Sequence, residues 1–230
     1  MSRKTRRVLH TSDLHLGQSG YENFESLHLV GELARKRYAD LILIAGDLFD
    51  HNRISDDFTR SVATLLQAIG CPVAILAGNH DCLIPGSVLD KAAIWSQYNH
   101  IKIFREKHGE RLVWSDLGIS MWGKSITSEY EDSRPLEGIP EPCPNGCWNI
   151  AVAHGFYVDR YPALFPSYHI IHEEITGLTW DYIALGHIPV FRCVSEKPTG
   201  YYSGSPSFSK TSALVELSED RGVVVTCCEF

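Results

Sequence analysis

The chain has 230 residues, of which 44% are hydrophobic and 21% charged, as is ordinary for a globular α/β domain. Its formal net charge of −7 argues against a protein whose whole surface attracts nucleic acid, because affinity for phosphate backbones comes largely from Lys and Arg. It has no apolar run of about 18 residues and no apolar signal-peptide core, so we expect a cytoplasmic protein that does not enter a membrane.

Five apolar segments share one design, in which small residues at the end are followed by His, Asp or Asn. The segments are residues 8–12 before Asp13 and His15, residues 41–46 before Asp47 and Asp50, residues 73–78 before Asn79, His80 and Asp81, residues 150–153 before His154, and residues 182–186 before His187. Continuous apolar runs of this length indicate strands that are buried on both faces. Because α/β sheets bind ligands beyond the carboxyl ends of their strands, these polar residues are candidates for one site.

Between the first strands, apolar residues at helical spacing predict helices over residues 24–38, 56–69 and 87–98, with Ser55 capping the second. This alternation of strands and helices predicts a parallel arrangement in the first half of the chain. The second half has shorter strand patterns at residues 112–114, 119–122, 191–194, 213–217 and 223–228, which we expect to form a second sheet packed on the first. Residues 129–146 are rich in Pro, Glu and Gly and predict a surface loop.

The residue types after the five strands suit divalent metals such as manganese, iron or zinc. Six of them form the candidate ligand set: Asp13, His15, Asp47, Asn79, His154 and His187. Asp47 is the natural bridge, since one carboxylate shared by two metals places both near the attacking and leaving oxygens of a phosphoester. His80 is not needed as a ligand and can donate a proton to the leaving oxygen or stabilise charge on the phosphoryl group.

Other polar residues near these motifs carry a weaker signal. A lone histidine at a strand end is more often a hydrogen-bonded polar residue than a ligand, but five strands that end alike argue against coincidence. Asp50, three residues after Asp47, is expected to contact a ligand side chain and not the metal itself. Asp81 is expected to orient His80 or to cap the next turn. His51 reads as an exposed loop residue, with contact to substrate or metal as the alternative, and His10 as a core residue.

The motifs Ser-Asp-Leu-His, Gly-Asp-Leu-Phe-Asp, Gly-Asn-His-Asp, Ala-His-Gly and Leu-Gly-His-Ile, in this order, resemble those of calcineurin-like metallophosphoesterases. Within that class, residues 9–17, residues 46–50 and the later Tyr-Ser-Gly-Ser-Pro most resemble SbcD-type DNA repair exonucleases. The resemblance runs from residue 9 to about residue 206. It implies a four-layer α/β/β/α sandwich of two packed mixed sheets. We expect one metallophosphoesterase domain over residues 1–230, without a C-terminal capping domain.

The resemblance also implies a function, namely metal-dependent hydrolysis of a phosphodiester, in nucleic acid first of all, by a metal-bound hydroxide at a dinuclear centre. The cofactors would be two divalent ions, manganese first, with iron or zinc as alternatives. One ion would be held by Asp13, His15 and Asp47, the other by Asp47, Asn79, His154 and His187, and His80 would be the catalytic histidine. A homodimer and an SbcC-like ATPase are the implied partners.

One position departs from the family pattern, in which the last motif is Gly-His-x-His. Here Pro189 stands in place of the second histidine and cannot bind the first metal, so we expect a functional but weakened first site. His51 or Cys193 could substitute, although spacing supports neither. The alternatives are a one-metal enzyme, a phosphatase or phosphodiesterase for small nucleotides, and a degenerate non-catalytic interaction module.

Overall fold

The computed structural model describes residues 3–18, 24–128, 133–144, 146–160 and 167–230. Its helices are α1 (Glu25–Arg37), α2 (Asp56–Ile69), α3 (Ala92–Trp95) and α4 (His172–Thr176). Its strands are β1 (Arg6–Thr11), β2 (Leu41–Ala45), β3 (Val73–Leu76), β4 (Ile101–Ile103), β5 (Glu110–Trp114), β6 (Ile119–Gly123), β7 (Trp148–His154), β8 (Phe156–Val158), β9 (His169–Ile171), β10 (Tyr182–Gly186), β11 (Phe191–Glu196), β12 (Thr199–Ser203), β13 (Thr211–Ser218) and β14 (Gly222–Glu229). None of these helices is both long and apolar enough to cross a membrane.

Two mixed six-stranded sheets form the centre of the molecule. The first has the order β14-β13-β1-β2-β3-β4, and its strands β1 to β4 are parallel, as the alternation of strands and helices predicted. The second has the order β11-β12-β10-β7-β6-β5, with β12, β10, β7 and β6 parallel and an antiparallel strand at each edge. A separate parallel pair joins β8 to β9.

The grouping of the late strands was predicted wrongly. We expected β13 and β14 in the second sheet, but β13 pairs antiparallel with β1, and β14 extends the first sheet beyond it. Conversely, β7 and β10, which resemble the first three strands in sequence, lie in the second sheet. Strand patterns report burial and alternation, but the choice of pairing partner depends on contacts far apart in the chain.

The layers are held together by apolar faces. Side chains of both sheets meet in a buried cluster between them, including Leu43, Val152 and Tyr182. The other face of the first sheet packs against the helices α1 and α2. The outer face of the second sheet is covered by α4 and neighbouring loops, with Trp180 and Ile175 buried there. This arrangement is the expected four-layer α/β/β/α sandwich.

The first two predicted helices are confirmed and the third is mostly wrong. Helix α2 begins after Ser55, whose hydroxyl oxygen accepts a hydrogen bond from the amide of Phe58 at 3.2 Å. Residues 87–98 instead form a series of turns around the four-residue α3. The Asp90 carboxylate accepts a hydrogen bond from the amide of Gly86, which favours a turn over a continuous helix. Of the predicted surface loop, residues 129–132 and 145 lie outside the described residues, and residues 133–144 and 146 form neither helix nor strand.

Candidate metal centre

The carboxyl ends of three strands of the first sheet and two strands of the second meet at one edge of the sandwich. His154, the last residue of β7, donates from Nδ1 to the carbonyl oxygen of Ala45 in β2 at 2.8 Å, which joins the two sheets there. The amide of His187, just after β10, donates to Asp13 Oδ2 at 3.1 Å. The packing of the sheets therefore brings the six candidate ligands together, although they are up to 174 residues apart in the chain.

Asp47 lies at the middle of this group with 2% of its surface exposed. Its Oδ2 is 3.3 Å from His154 Nε2 and 3.8 Å from His15 Nε2. Its Oδ1 accepts a hydrogen bond from the amide of His80 at 3.0 Å. One oxygen of the carboxylate thus faces two candidate ligand histidines, as a bridging ligand requires.

Asn79 connects the two histidines supplied by the second sheet. Its Oδ1 is 3.1 Å from His154 Nε2 and 3.0 Å from His187 Nδ1. Because His154 Nδ1 already donates to a backbone carbonyl, its Nε2 is the atom directed into the site.

The donor atoms fall into compact groups. Those of Asp47, His154 and His187 lie within 4.8 Å of one another, and so do those of Asp13, His15 and Asp47. A third group, on the exposed side, consists of His15, Asp50 and His80. Asp47 belongs to the first two groups. The described residues place no Lys or Arg in a salt bridge with Asp13 or Asp47, so this buried negative charge has no side-chain cation other than histidine. Carboxylate oxygens, an amide oxygen and imidazole nitrogens in this arrangement fit divalent cations.

Asp50 and His80 lie on the exposed side of the group. His15 Nδ1 donates to Asp50 Oδ1 at 2.9 Å, which leaves His15 Nε2 facing Asp47. This contact is the one expected of a residue that orients a ligand histidine. His80 Nδ1 donates to the carbonyl oxygen of Asp50 at 2.8 Å, and its side chain is 43% exposed. The imidazole of His80 is therefore fixed in position but open to solvent.

The backbone around the centre is unusual. Asp13, His15, Asp47 and His187 all have positive φ angles, of 55°, 49°, 52° and 97°. Such angles are uncommon for residues other than glycine and cluster at functional sites. Gly78 is required for a different reason, since a Cβ atom there would lie 2.1 Å from Asp47 Oδ1. The turns after the strands thus hold the backbone of these candidate ligands in conformations that residues other than glycine seldom adopt.

Burial and neighbouring charges shift the pKa values of Asp47, His154 and His187. Burial alone would raise the pKa of Asp47, but the charge of His154 and the hydrogen bond to it hold that pKa at about 2. For His154, the effect of burial is outweighed by Asp47 and Asp13, which raise its pKa to about 9. Burial and the charge of His154 lower the pKa of His187 to about 4. At neutral pH, one proton therefore lies between His154 and Asp47, where a cation bound by His154 Nε2 would displace it.

Asp81 makes contacts of one of the two kinds expected for it. Its side chain is fully buried, Oδ1 accepts from the amide of Gly78 at 2.7 Å, and Oδ2 accepts from the amide of Phe49 at 3.2 Å. Asp81 therefore fastens the turn after β3 to the turn after β2, which carries Asp47. Its hydrogen bonds correspond to the turn-capping role and not to the orientation of His80.

Sequence reasoning missed two serines that support the centre. Ser205 Oγ donates to the carbonyl oxygen of Asp13, and Ser207 Oγ donates to that of Leu14, both at 2.6 Å. The Tyr-Ser-Gly-Ser-Pro motif marks this loop in the sequence, but the contact with the turn after β1 requires the pairing of β1 with β13.

Neither His51 nor Cys193 completes the first metal site in place of the histidine missing at Pro189. His51 lines an open cleft of about 350 Å³ together with Asp50, Asn79, His80 and Tyr168. In the described part of the chain, neither His51 nor Cys193 belongs to a group of donor atoms that could hold a metal. The Cys193 thiol instead donates to the carbonyl oxygen of Ser195 at 3.4 Å on strand β11. The position of Pro189 therefore has no substitute ligand among these residues.

Comparison with known proteins identifies the class. The family model of the calcineurin-like phosphoesterases matches residues 6–214, which is most of the chain. The chain therefore belongs to this family of metal-dependent phosphoester hydrolases.

The curated proteins that are similar to this chain include a DNA double-strand break repair protein and a nuclease subunit. The chain is 25% identical to the DNA double-strand break repair protein Mre11 of Methanopyrus kandleri, over 94% of this chain and 51% of that protein. It is 39% identical to SbcD, one component of the nuclease SbcCD of Escherichia coli K12, over 33% of this chain and 21% of that protein. The chain thus spans about half the length of the first relative and matches about a fifth of the second.

Solved structures support the fold. TT1561 of Thermus thermophilus aligns over 97% of this chain and 99% of its own, with a TM-score of 0.66 and 14% identity. Another crystal structure aligns over 99% of this chain and 100% of its own, with a TM-score of 0.70 and 12% identity. At these identities the likeness concerns the fold alone.

Proposed function

We propose that the chain hydrolyses phosphodiesters in nucleic acid at a centre of two divalent metals. The observation that carries this proposal is Asp47, whose carboxylate is shared by two compact groups of donor atoms, one with Asp13 and His15 and the other with His154 and His187. The relatives, a DNA repair protein and a component of a nuclease, support nucleic acid as the substrate.

The roles of the residues follow from their positions. Asp13, His15 and Asp47 would hold one metal, and Asp47, Asn79, His154 and His187 the other. When bound, two such ions supply positive charge for the phosphoryl oxygens and lower the pKa of water. Manganese is the proposed metal, with iron and zinc as the alternatives.

The protein's own side chains orient a candidate ligand histidine and supply a proton donor. Asp50 holds His15 by its Nδ1 and thereby directs Nε2 towards Asp47. His80 lies beside the open cleft, where Nε2 of its protonated imidazole can donate a proton to the leaving oxygen or a hydrogen bond to the phosphoryl group, while Nδ1 stays bonded to the Asp50 carbonyl. His51 lines the same cleft and is the candidate contact for substrate.

The experiment is metal content per chain after manganese loading, together with hydrolysis of bis-p-nitrophenyl phosphate and of oligonucleotides. We expect two metals, turnover of the ester, and cleavage of oligonucleotides without hydrolysis of mononucleotides. Hydrolysis of mononucleotides alone would favour a phosphatase for small nucleotides. One metal or none, without turnover, would favour a non-catalytic interaction module.

Asp47→Ala tests the bridge itself. We expect this variant to lose both metals, because the carboxylate is shared by the two groups of donors. Retention of both metals would disprove the bridging role.

Four further expectations stay predictions beside this proposal: a cytoplasmic location, a single domain, a homodimer and an SbcC-like ATPase partner.

A further inference from the structure

Phe208 presents an aromatic ring to solvent next to the centre. The residue is 52% exposed, and its ring centroid lies 5.3 Å from that of His15, with the planes at 75°. The ring of His15 also meets that of His80, with centroids 4.6 Å apart. The ring of His15 therefore lies between Phe208 and the proposed catalytic histidine, His80, and Phe208 lies at the rim of the same site.

The loop that carries Phe208 is fastened to the ligand-bearing turn. Ser205 Oγ accepts hydrogen bonds from the amides of Ser207 and Phe208, both at 3.1 Å, and donates to the carbonyl oxygen of Asp13. Ser207 Oγ adds a second link, to the carbonyl oxygen of Leu14. The position of the ring is thus fixed relative to Asp13 and His15, which are both candidate ligands of the first metal.

Location and anchoring distinguish Phe208 from other exposed aromatic residues. Single exposed apolar side chains are normal on protein surfaces and need no explanation by themselves. Tyr38, for example, is 79% exposed, but it lies between the end of α1 and the start of β2, at the amino-terminal edge of the sheet. A fixed aromatic ring beside a phosphodiester site suits a planar partner, because every nucleobase has a face on which an aromatic side chain can stack.

We propose that Phe208 stacks against the base of the nucleoside attached to the scissile phosphate. The substrate class is then a phosphodiester with a nucleoside on at least one side, accepted with little preference for the identity of the base. This inference rests on the proposed function, since it needs a phosphodiester held at the metal centre. Phe208 contributes to substrate binding and takes no part in bond making.

The test uses two esters that share a leaving group and differ only in the base. One is the p-nitrophenyl ester of thymidine 5′-phosphate, and the other is the same ester with hydrogen in place of the base. We expect Phe208→Ala to lower kcat/KM for the thymidine ester by about 5- to 150-fold relative to the base-free ester, equivalent to ~1–3 kcal/mol. The loss should lie mainly in KM, because stacking stabilises bound substrate and transition state alike.

Three variants separate stacking from other effects of the substitution. Phe208→Trp should restore the preference for the thymidine ester, and Phe208→Leu, which keeps an apolar side chain, should not. Tyr38→Ala removes an exposed ring elsewhere and should leave the preference unchanged. Thymidine 5′-monophosphate binding, followed by calorimetry, gives a readout that requires no turnover, and Phe208→Ala should weaken it by a similar factor.

The outcomes distinguish this inference from the proposed function. If the native chain hydrolyses neither ester, both fail. If Phe208→Ala hydrolyses both esters with the native preference, only the stacking inference is overturned. An equal loss on both esters, with less bound metal, would mean that Phe208 acts by positioning His15, and that result also overturns stacking.

Discussion

The carboxylate of Asp47 serves different neighbours with its two oxygens. Oδ1 accepts from the amide of His80, and Oδ2 faces His154 and His15. Asn79 places its side-chain oxygen beside His154 and His187, whereas the side chain of the next residue, His80, lines the cleft. For this reason we propose Asn79 as a metal ligand and His80 as a proton donor.

Replacement of His80 tests that division of roles. We expect His80→Ala to lower kcat by about 10²–10⁴-fold, because the leaving oxygen loses its proton donor, while the metal content stays near the native value. Metal content and turnover should be measured on the same preparation. His100→Ala, a change at an exposed histidine before β4, is the control. Loss of metal from His80→Ala would make His80 a ligand.

The position of Pro189 makes a second prediction at this scale. Pro189→His should tighten the first metal by about tenfold, ~1.4 kcal/mol, because it supplies an imidazole where the family pattern has one. Titration with manganese measures the effect, and turnover should rise at limiting metal. Val190→His places the imidazole one residue further along, at a side chain that is 53% exposed, and is the matched control. Unchanged affinity in Pro189→His would show that another group already fills the position.

At the scale of elements, the turns after β2 and β3 depend on each other through Asp81. Its two oxygens accept from the amides of Phe49 and Gly78, so one buried side chain replaces solvent for both turns. Burial, reinforced by the charge of Asp47, raises the pKa of Asp81 to about 7. The contact of Asp81 with Gly78 is local, but only the packing of the two turns determined its contact with Phe49.

Removal of this carboxylate should destabilise the fold. Asp81→Ala leaves two buried amides without acceptors, at a cost of roughly 1–3 kcal/mol each in the free energy of unfolding. Asp90→Ala removes a similar contact, from the Gly86 amide, at an exposed turn where water can replace it, and should cost much less. Chemical denaturation of both variants gives the comparison. Equal losses would contradict the role assigned to Asp81.

At the scale of the whole molecule, a buried polar contact joins the two sheets. His10 Nδ1 and the Tyr182 hydroxyl are 2.9 Å apart, and both residues are fully buried between the sheets. Burial lowers the pKa of His10 from its ordinary value of 6.5 to about 3. His10 was predicted to be a core residue, and its neutral form is the one that the interior favours.

The burial of His10 makes the stability of the protein depend on pH. The unfolded chain protonates His10 below pH 6.5, while the folded chain keeps it neutral down to about pH 3, so acid favours unfolding over this range. Between pH 7 and pH 5, His10 should remove about 2 kcal/mol from the free energy of unfolding. His10→Gln should lose this part of the pH dependence, as followed by denaturation at both pH values. The matched control is His100→Gln, and an unchanged dependence in His10→Gln would refute the prediction.

The sequence by itself determined which strands end in candidate ligands and which residues those are. An apolar run that ends in small residues and is followed by Asp, His or Asn is a local pattern, so β1, β2, β3, β7 and β10 could be recognised from it, together with Asp13 and Asp47. The order of the motifs was enough to indicate the family. Helix α2 and its cap at Ser55 were equally local, because spacing and capping act within a few residues.

Only the tertiary structure decided which sheet each strand joins and what surrounds the ligands. The pairing of β13 with β1, the hold of Ser205 on Asp13 and the place of Phe208 beside His15 all join residues more than 190 positions apart. No local pattern encodes such contacts, because they arise from packing two sheets face to face and from satisfying buried backbone groups in the turns. The sequence therefore indicated the candidate ligands, and the fold supplied the geometry that brings them together.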